Sequence, residues 1–181
     1  MRARKVLRSV LIIALIAVNI GCDQVSKSII RDRVSIDTNL RYLNGHFLIT
    51  RAENTGAFLS LGDNTTGPLR IVFLSLIPAL LLIFSISYLI RNKNVPAVTL
   101  IGICFIVGGG IGNIFDRIVH GSVTDFLYLD YHPFHTGIFN LADVSITVGA
   151  LLILIGINLK NPPRFLAGRK QETVTADSLS E

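Results

Sequence analysis

The sequence predicts an α-helical membrane protein: four transmembrane helices, with a small β-sheet in the first extracytoplasmic loop. Three observations predict it. Half of the 181 residues are hydrophobic and only 16% are charged, whereas a soluble domain carries about a quarter. Four apolar segments are readable, against the ~20 residues needed to cross a hydrocarbon core. The basic residues fall in alternate connections between those segments, which is the positive-inside pattern.

Taken in order, the first segment, Ser9 to Cys22, is uncharged but short, and is expected to continue as helix through Asp23 and Lys27 towards Ile30. The second, Ile71 to Ile90, and the third, Val95 to Phe115, carry no charge. The fourth, Leu141 to Leu159, carries only Asp143. Pro78 lies inside the second segment, where neighbouring helices can satisfy the carbonyl it frees. The link Arg91-Asn92-Lys93-Asn94 is short enough to require an antiparallel helix hairpin. Two cysteines, Cys22 and Cys104, read as small side chains of the apolar runs and specify neither a disulfide framework nor metal spacing.

The net charge of +5 does not point to nucleic acid, because of where the charge sits. Arg2, Arg4, Lys5 and Arg8 precede the first segment, Arg91 and Lys93 separate the second from the third, and Lys160, Arg164, Arg169 and Lys170 follow the last. Both termini are therefore expected in the cytoplasm, with the long connections, about residues 31–68 and 116–140, outside. In the first of these, Leu40 to Leu43 and His46 to Thr50 flank Asn44-Gly45, a hairpin signal. Ala57 to Leu61 could add a third strand to a sheet at the membrane surface. Residues 1–160 read as one domain, and 161–181 as a polar cytoplasmic tail after Pro162-Pro163.

The polar residues of the outer rim carry the chemistry. Asp125 and Asp143 bracket one loop, and an ionisable residue at the rim of a transmembrane helix is costly enough to mark a functional site. Two carboxylates at one face can share a proton, one acting as base and the other as acid. Each candidate also has a plainer reading. Asp23 and Lys27, four apart, could be an exposed ion pair. Asn54-Thr55-Gly56-Ala57-Phe58 could be a turn, and Asp116-Arg117 an interfacial pair. Asn140 and Asp143 could simply cap the fourth helix. Gly108 to Asn113 resembles a phosphate loop but lacks the preceding strand and following Lys-Ser/Thr, so close helix packing explains its glycines better. His132 and His135, split by a proline, do not make a metal pair. What favours the functional reading is coincidence. Asp23, Lys27, Asn54, Asn113, Asp116, Arg117, Asp125, Asn140 and Asp143 come from five stretches, and the topology puts all of them at the outer leaflet.

With those residues in place, the chain resembles the lipoprotein signal peptidases (signal peptidase II). The matching blocks are Asp23 to Lys27, Asn54 to Phe58, Gly108 to Arg117, Val123 to Phe126, and Phe139 to Asp143. They run in the family's order over about residues 10 to 160. The resemblance implies an intramembrane aspartyl endopeptidase of the bacterial inner membrane. It would cleave diacylglyceryl-modified prolipoproteins just before the lipidated cysteine, amid membrane lipids, as a monomer with no metal or cofactor. Asp125 and Asp143 would be the catalytic pair. Asn54, Asn113, Arg117 and Asn140 would support the site or position substrate, Asp23 and Lys27 would hold structure nearby, and Asp116 would be a further supporting residue. The stretch Tyr128 to Ile138 is longer than usual, which bears on substrate fit.

Two other readings fare worse. A proton-coupled transporter would place its ionisable groups near the midplane and show repeats, and neither is present. A lipoprotein is suggested by Ile20-Gly21-Cys22 after a basic, apolar leader. However, Asn19 stands where an apolar residue is wanted, and three further apolar segments make a leader unneeded.

Overall fold

The computed structural model describes residues 2–36, 38–56 and 68–160. The expected third strand over Ala57 to Leu61 and the tail from residue 161 lie outside the described residues.

Helix α1 runs Arg2–Arg33, so the first segment continues through Asp23 and Lys27 as expected. Strands β1 (Asn39–Tyr42) and β2 (Phe47–Asn54) form the predicted hairpin, pairing Tyr42 with Phe47. Its connection needs three residues at positive φ, namely Leu43, Asn44 and Gly45, and Asn and Gly tolerate that region best. The second apolar segment is built of α2 (Pro68–Ile71), a π turn (Val72–Leu76) and α3 (Ile77–Arg91). Pro78 enters at the start of α3, just past the wider i→i+5 turn, where a missing N–H disturbs the ladder least. Helix α4 (Ala97–Val119) leads into β3 (Val123–Tyr131), β4 (Phe134–His135) and then α5 (Leu141–Lys160).

Among the described residues, three stretches are long and apolar enough to cross a membrane: Val6–Arg33, Val72–Arg91 and Ala97–Val119. The last helix, α5, is apolar over Leu141–Ile157. Helix α4 is central and touches α1, α3 and α5. Its glycines allow this. A Cβ on Gly109 would strike the carbonyl of Ala142 in α5, and one on Gly112 would strike the Asp23 carboxylate of α1. The close-packing explanation of the glycine run therefore holds. At the other end, Arg8 donates to the carbonyls of Leu89 and Asn92 at 3.2 and 2.8 Å. That bond ties the amino end of α1 to the carboxyl end of α3.

The sheet differs from expectation. It does not belong to the first connection alone: the order is β1-β2-β3-β4, antiparallel, with the last two strands from the second connection. The physical reason lies in Val123 to Tyr131, a run rich in branched and aromatic residues that pair well across a pleated sheet. Beyond β4, Phe139 exchanges main-chain hydrogen bonds with Leu127 at 2.8 and 2.9 Å. This holds β3 level with the first turn of α5.

Candidate active site

Residue phase brings Asp125 and Asn54 together. The β2–β3 ladder pairs Ile49 with Leu127 but Ala52 with Asp125, so β2 contains one extra residue. Continued without that bulge, the register would turn Glu53 to the face of Asp125. With it, Glu53 pairs with Thr124 and Asn54 with Val123, so Asn54 lies diagonally across from Asp125 on the same face. Asn54 Nδ2 donates to Asp125 Oδ2 at 2.9 Å. The Gly56 N–H donates to Asn54 Oδ1 at 2.9 Å, which fixes the amide that way round.

Asp143 is positioned by the start of α5. Asn140 and Asp143 form a reciprocal cap: the Asp143 N–H donates to Asn140 Oδ1 at 3.0 Å, and the Asn140 N–H donates to Asp143 Oδ2 at 3.1 Å. The capping role read from the sequence is therefore real, but it is not the residue's only role. Asn140 Nδ2 also donates to Asp125 Oδ1 at 2.6 Å. One asparagine thus touches both carboxylates, one through its main chain and the other through its side chain.

A third amide closes the arrangement. Asn113, near the end of α4, donates from Nδ2 to Asp143 Oδ1 at 2.9 Å. Its Oδ1 accepts from Asn140 Nδ2 at 3.2 Å and from the Lys27 ammonium at 2.9 Å. Lys27 has no exposed surface. Its Nζ also lies 2.8 Å from Asp23 Oδ2 and 3.0 Å from Asp116 Oδ2, so its three N–H groups meet three oxygens. The exposed-pair reading of Asp23 and Lys27 is thereby excluded, since both are buried.

All nine residues singled out in the sequence meet in this region. Asn54, Asn113, Arg117, Asp125, Asn140 and Asp143 line a cavity of about 460 Å³, with Phe73, Leu74 and Pro78 from the π turn and the start of α3 opposite. Asp23, Lys27 and Asp116 lie behind it. Arg117 donates to the Gly56 carbonyl at 3.0 Å, tying the end of α4 to the segment after β2. Sequence reasoning missed four supporting residues. Gln24 donates from Nε2 to Asp23 and Asp116, both at 3.1 Å. Arg31 reaches Thr124 Oγ1 at 3.0 Å and stands 3.6 Å from Asp116. Thr124 Oγ1 lies 3.3 Å from both Glu53 oxygens. Gln24 and Thr124 each sit beside a candidate aspartate, and that adjacency was the available signal.

Burial is the main cause that pushes the Asp125 carboxyl up from its ordinary range to about 6. The nearby Asp143 charge adds to it, while the hydrogen bonds from Asn54 and Asn140 and the charge of Lys27 act the other way. Two carboxylates joined through Asn140, one of them inclined to keep its proton, can relay protons to and from a bound water and a polar bond.

Comparison with known proteins gives one consistent result. A family model described as signal peptidase (SPase) II matches residues 15–159. The lipoprotein signal peptidase of Solibacter usitatus (strain Ellin6076) is 33% identical over 135 residues, covering 75% of this chain and 82% of its own length. That of Clostridium tetani (strain Massachusetts / E88) is 33% identical over 146 residues, covering 80% and 90%. A solved structure described as "Bacterial membrane enzyme structure by the in meso method at 2.3 A resolution" aligns with a TM-score of 0.74 and 26% identity, over 84% of this chain and 92% of the other.

Proposed function

The chain belongs to the signal peptidase II family, and from that premise we propose that it removes signal peptides from diacylglyceryl-modified prolipoproteins, with Asp125 and Asp143 as its catalytic pair. It is a lipoprotein signal peptidase, an endopeptidase. The bond it cuts is the one just before the lipidated cysteine. The observation that carries the catalytic assignment is the double contact of Asn140, by main chain to Asp143 and by side chain to Asp125, at the wall of a cavity that all three line.

Asp125 starts as the protonated member, because burial raises it. Asp143 acts as the base, with N–H groups of Asn113 and Asn140 holding its oxygens at the first turn of α5. Asp143 takes a proton from a water as that water attacks the scissile carbonyl carbon. Asp125 gives its proton to the carbonyl oxygen, producing a tetrahedral gem-diol. As the diol collapses, Asp143 returns its proton to the leaving amine and the C–N bond breaks. Asp125 recovers a proton from a diol hydroxyl, which restores the pair. Asn54, Asn113 and Asn140 keep N–H groups aimed at the carboxylates, and Arg117 sits on the cavity wall where a substrate carbonyl would lie.

The same reading makes the protein a four-span monomer of the bacterial inner membrane, with its site at the outer leaflet, both termini cytoplasmic, and lipids as its surroundings. The supports are alternating basic connections, α5 starting level with β3, and an apolar cavity wall opposite the carboxylates. A substrate anchored by acyl chains brings about 0.8 kcal/mol per buried CH₂ to that rim.

The test is cleavage of matched prolipoproteins with and without diacylglyceryl on the cysteine, in nanodiscs. The lipidated form is cleaved with much the higher kcat/KM. Equal values would remove the lipid from the reading.

A further inference from the structure

We propose that Lys27 is the positioning residue for both carboxylates: its buried ammonium gathers Asp23 and Asp116, which grip the chain directly ahead of Asp143 and Asp125, and it sets the direction of the amide facing Asp143. This rests on the reading of Asp125 and Asp143 as the catalytic pair.

The parallel between the two grips is the starting observation. Ala142 precedes Asp143, and its N–H donates to Asp23 Oδ1 at 3.0 Å. Thr124 precedes Asp125, and its N–H donates to Asp116 Oδ2 at 3.4 Å. Asp23 comes from α1 and Asp116 from α4, so each carboxylate of the pair has its preceding residue held by an aspartate from another helix. Both gripping aspartates bond to the same ammonium, at 2.8 and 3.0 Å. Two carboxylates this close and this buried repel each other, and a cation between them lets both remain acceptors.

The third N–H of Lys27 decides a direction. Asn113 Oδ1 accepts it at 2.9 Å, which leaves Nδ2 to face Asp143. An ammonium has no lone pair to offer, so the reversed amide would set Nδ2 against a cation and Oδ1 against a carboxylate. Without Lys27, the present orientation would rest on the 3.2 Å bond from Asn140 Nδ2 and the bond to Asp143 alone. The charged groups around this hub are Asp23 and Arg31 of α1, Glu53 of β2, Asp116 and Arg117 of α4, Asp125 of β3 and Asp143 of α5. Arg31 stands 3.6 Å from Asp116, and Glu53 reaches the hub through Thr124.

Two variants test the role in the intact protein. Lys27→Met leaves Asp23 and Asp116 without their shared cation. Asp23→Asn/Lys27→Met removes one charge of each sign and leaves Asp116 facing Arg31. For each, thermal unfolding, kcat and KM on a lipidated prolipoprotein, and the pH profile are measured in nanodiscs. In the folded variants kcat falls about a hundredfold, the scale of a misplacement of about 1 Å, while KM stays near that of the parent. The alkaline limb of the profile moves to higher pH, because the Lys27 charge that helps hold the Asp125 carboxyl down is gone. An unchanged kcat and profile in a folded variant would overturn the proposal. If both variants fail to fold, Lys27 serves folding alone and the proposal is equally set aside. Asp125→Asn and Asp143→Asn run alongside. Activity in those would overturn the catalytic assignment itself, whereas inactivity there with parental kinetics at Lys27 would remove only the positioning role.

Discussion

Asn54 donates to Asp125 at 2.9 Å across a ladder in which one extra residue of β2 has shifted the phase. That shift keeps Glu53 away from Asp125, with Arg51 at 3.1 Å, Thr124 at 3.3 Å and Ser122 at 2.8 Å as its partners. A glutamate on the other face would place a third carboxylate at the pair and oppose ionisation there. The bulge therefore selects an amide over an acid at the position diagonally across the ladder from Asp125.

Replacing either carboxyl by its amide separates chemistry from fold. Asp125→Asn and Asp143→Asn should each lower kcat by about 10³-fold or more, since an amide cannot pass on the proton. The unfolding temperature should fall only in part, because size is kept while the amide can accept one of the two N–H groups that each carboxylate meets. Near-parental turnover in either purified variant would refute the assignment.

The pH profile should follow the raised carboxyl of Asp125. A carboxyl pushed up to about 6 keeps its proton below that value and loses it above. If Asp125 is the acid, kcat/KM should fall as pH rises through about 6. The limb in kcat should lie higher, because a bound lipidated substrate excludes water and burial deepens. Linkage carries the same sign. The protonated carboxyl favours the folded state, so its contribution is complete below the unfolded value of about 3.9 and is lost as pH rises through about 6. A rate and an unfolding temperature both flat between pH 4 and 8 would contradict this.

Asn54→Ala removes a hydrogen bond that holds the Asp125 carboxyl down. The alkaline limb should therefore move to higher pH even as kcat drops. A loss of one hydrogen bond to a charged group, about 1.5–3 kcal/mol, sets the scale. A limb that moves to lower pH would show that the amide acts in some other way.

Gly109→Ala tests the approach of α4 to α5. The added methyl meets the Ala142 carbonyl, one residue from Asp143. Overpacking of this kind costs about 1–3 kcal/mol, and here it also displaces the turn carrying a catalytic residue. Stability and kcat should fall together. Parental values of both would mean that the helices have room the packing does not suggest.

Topology reporters test the membrane reading. A periplasmic reporter should be silent after Asn94 or Leu159 and active within residues 123–135, given the basic residues at 2–8, 91–93 and 160–170. Activity after Leu159 would overturn the shared outer face of the site.

Hydropathy and the placement of charge determined much of this molecule before any coordinates. They identified the apolar helices, the continuation of α1 past Lys27, the β1–β2 hairpin, and nine polar residues that do meet at one end. These are legible because helix length, periodicity and turn residues act over a few neighbours in the chain. The membership of β3 and β4 in the sheet, the bulge that chooses Asn54 over Glu53, and the grips of Asp23 on Ala142 and Asp116 on Thr124 were not legible. Each joins residues up to 119 positions apart, and each depends on register and on which way an amide or an N–H points. A hydrogen bond is decided within a few tenths of an ångström and a few tens of degrees. Only the packing of α1, α4, α5 and the sheet against one another sets distances that finely.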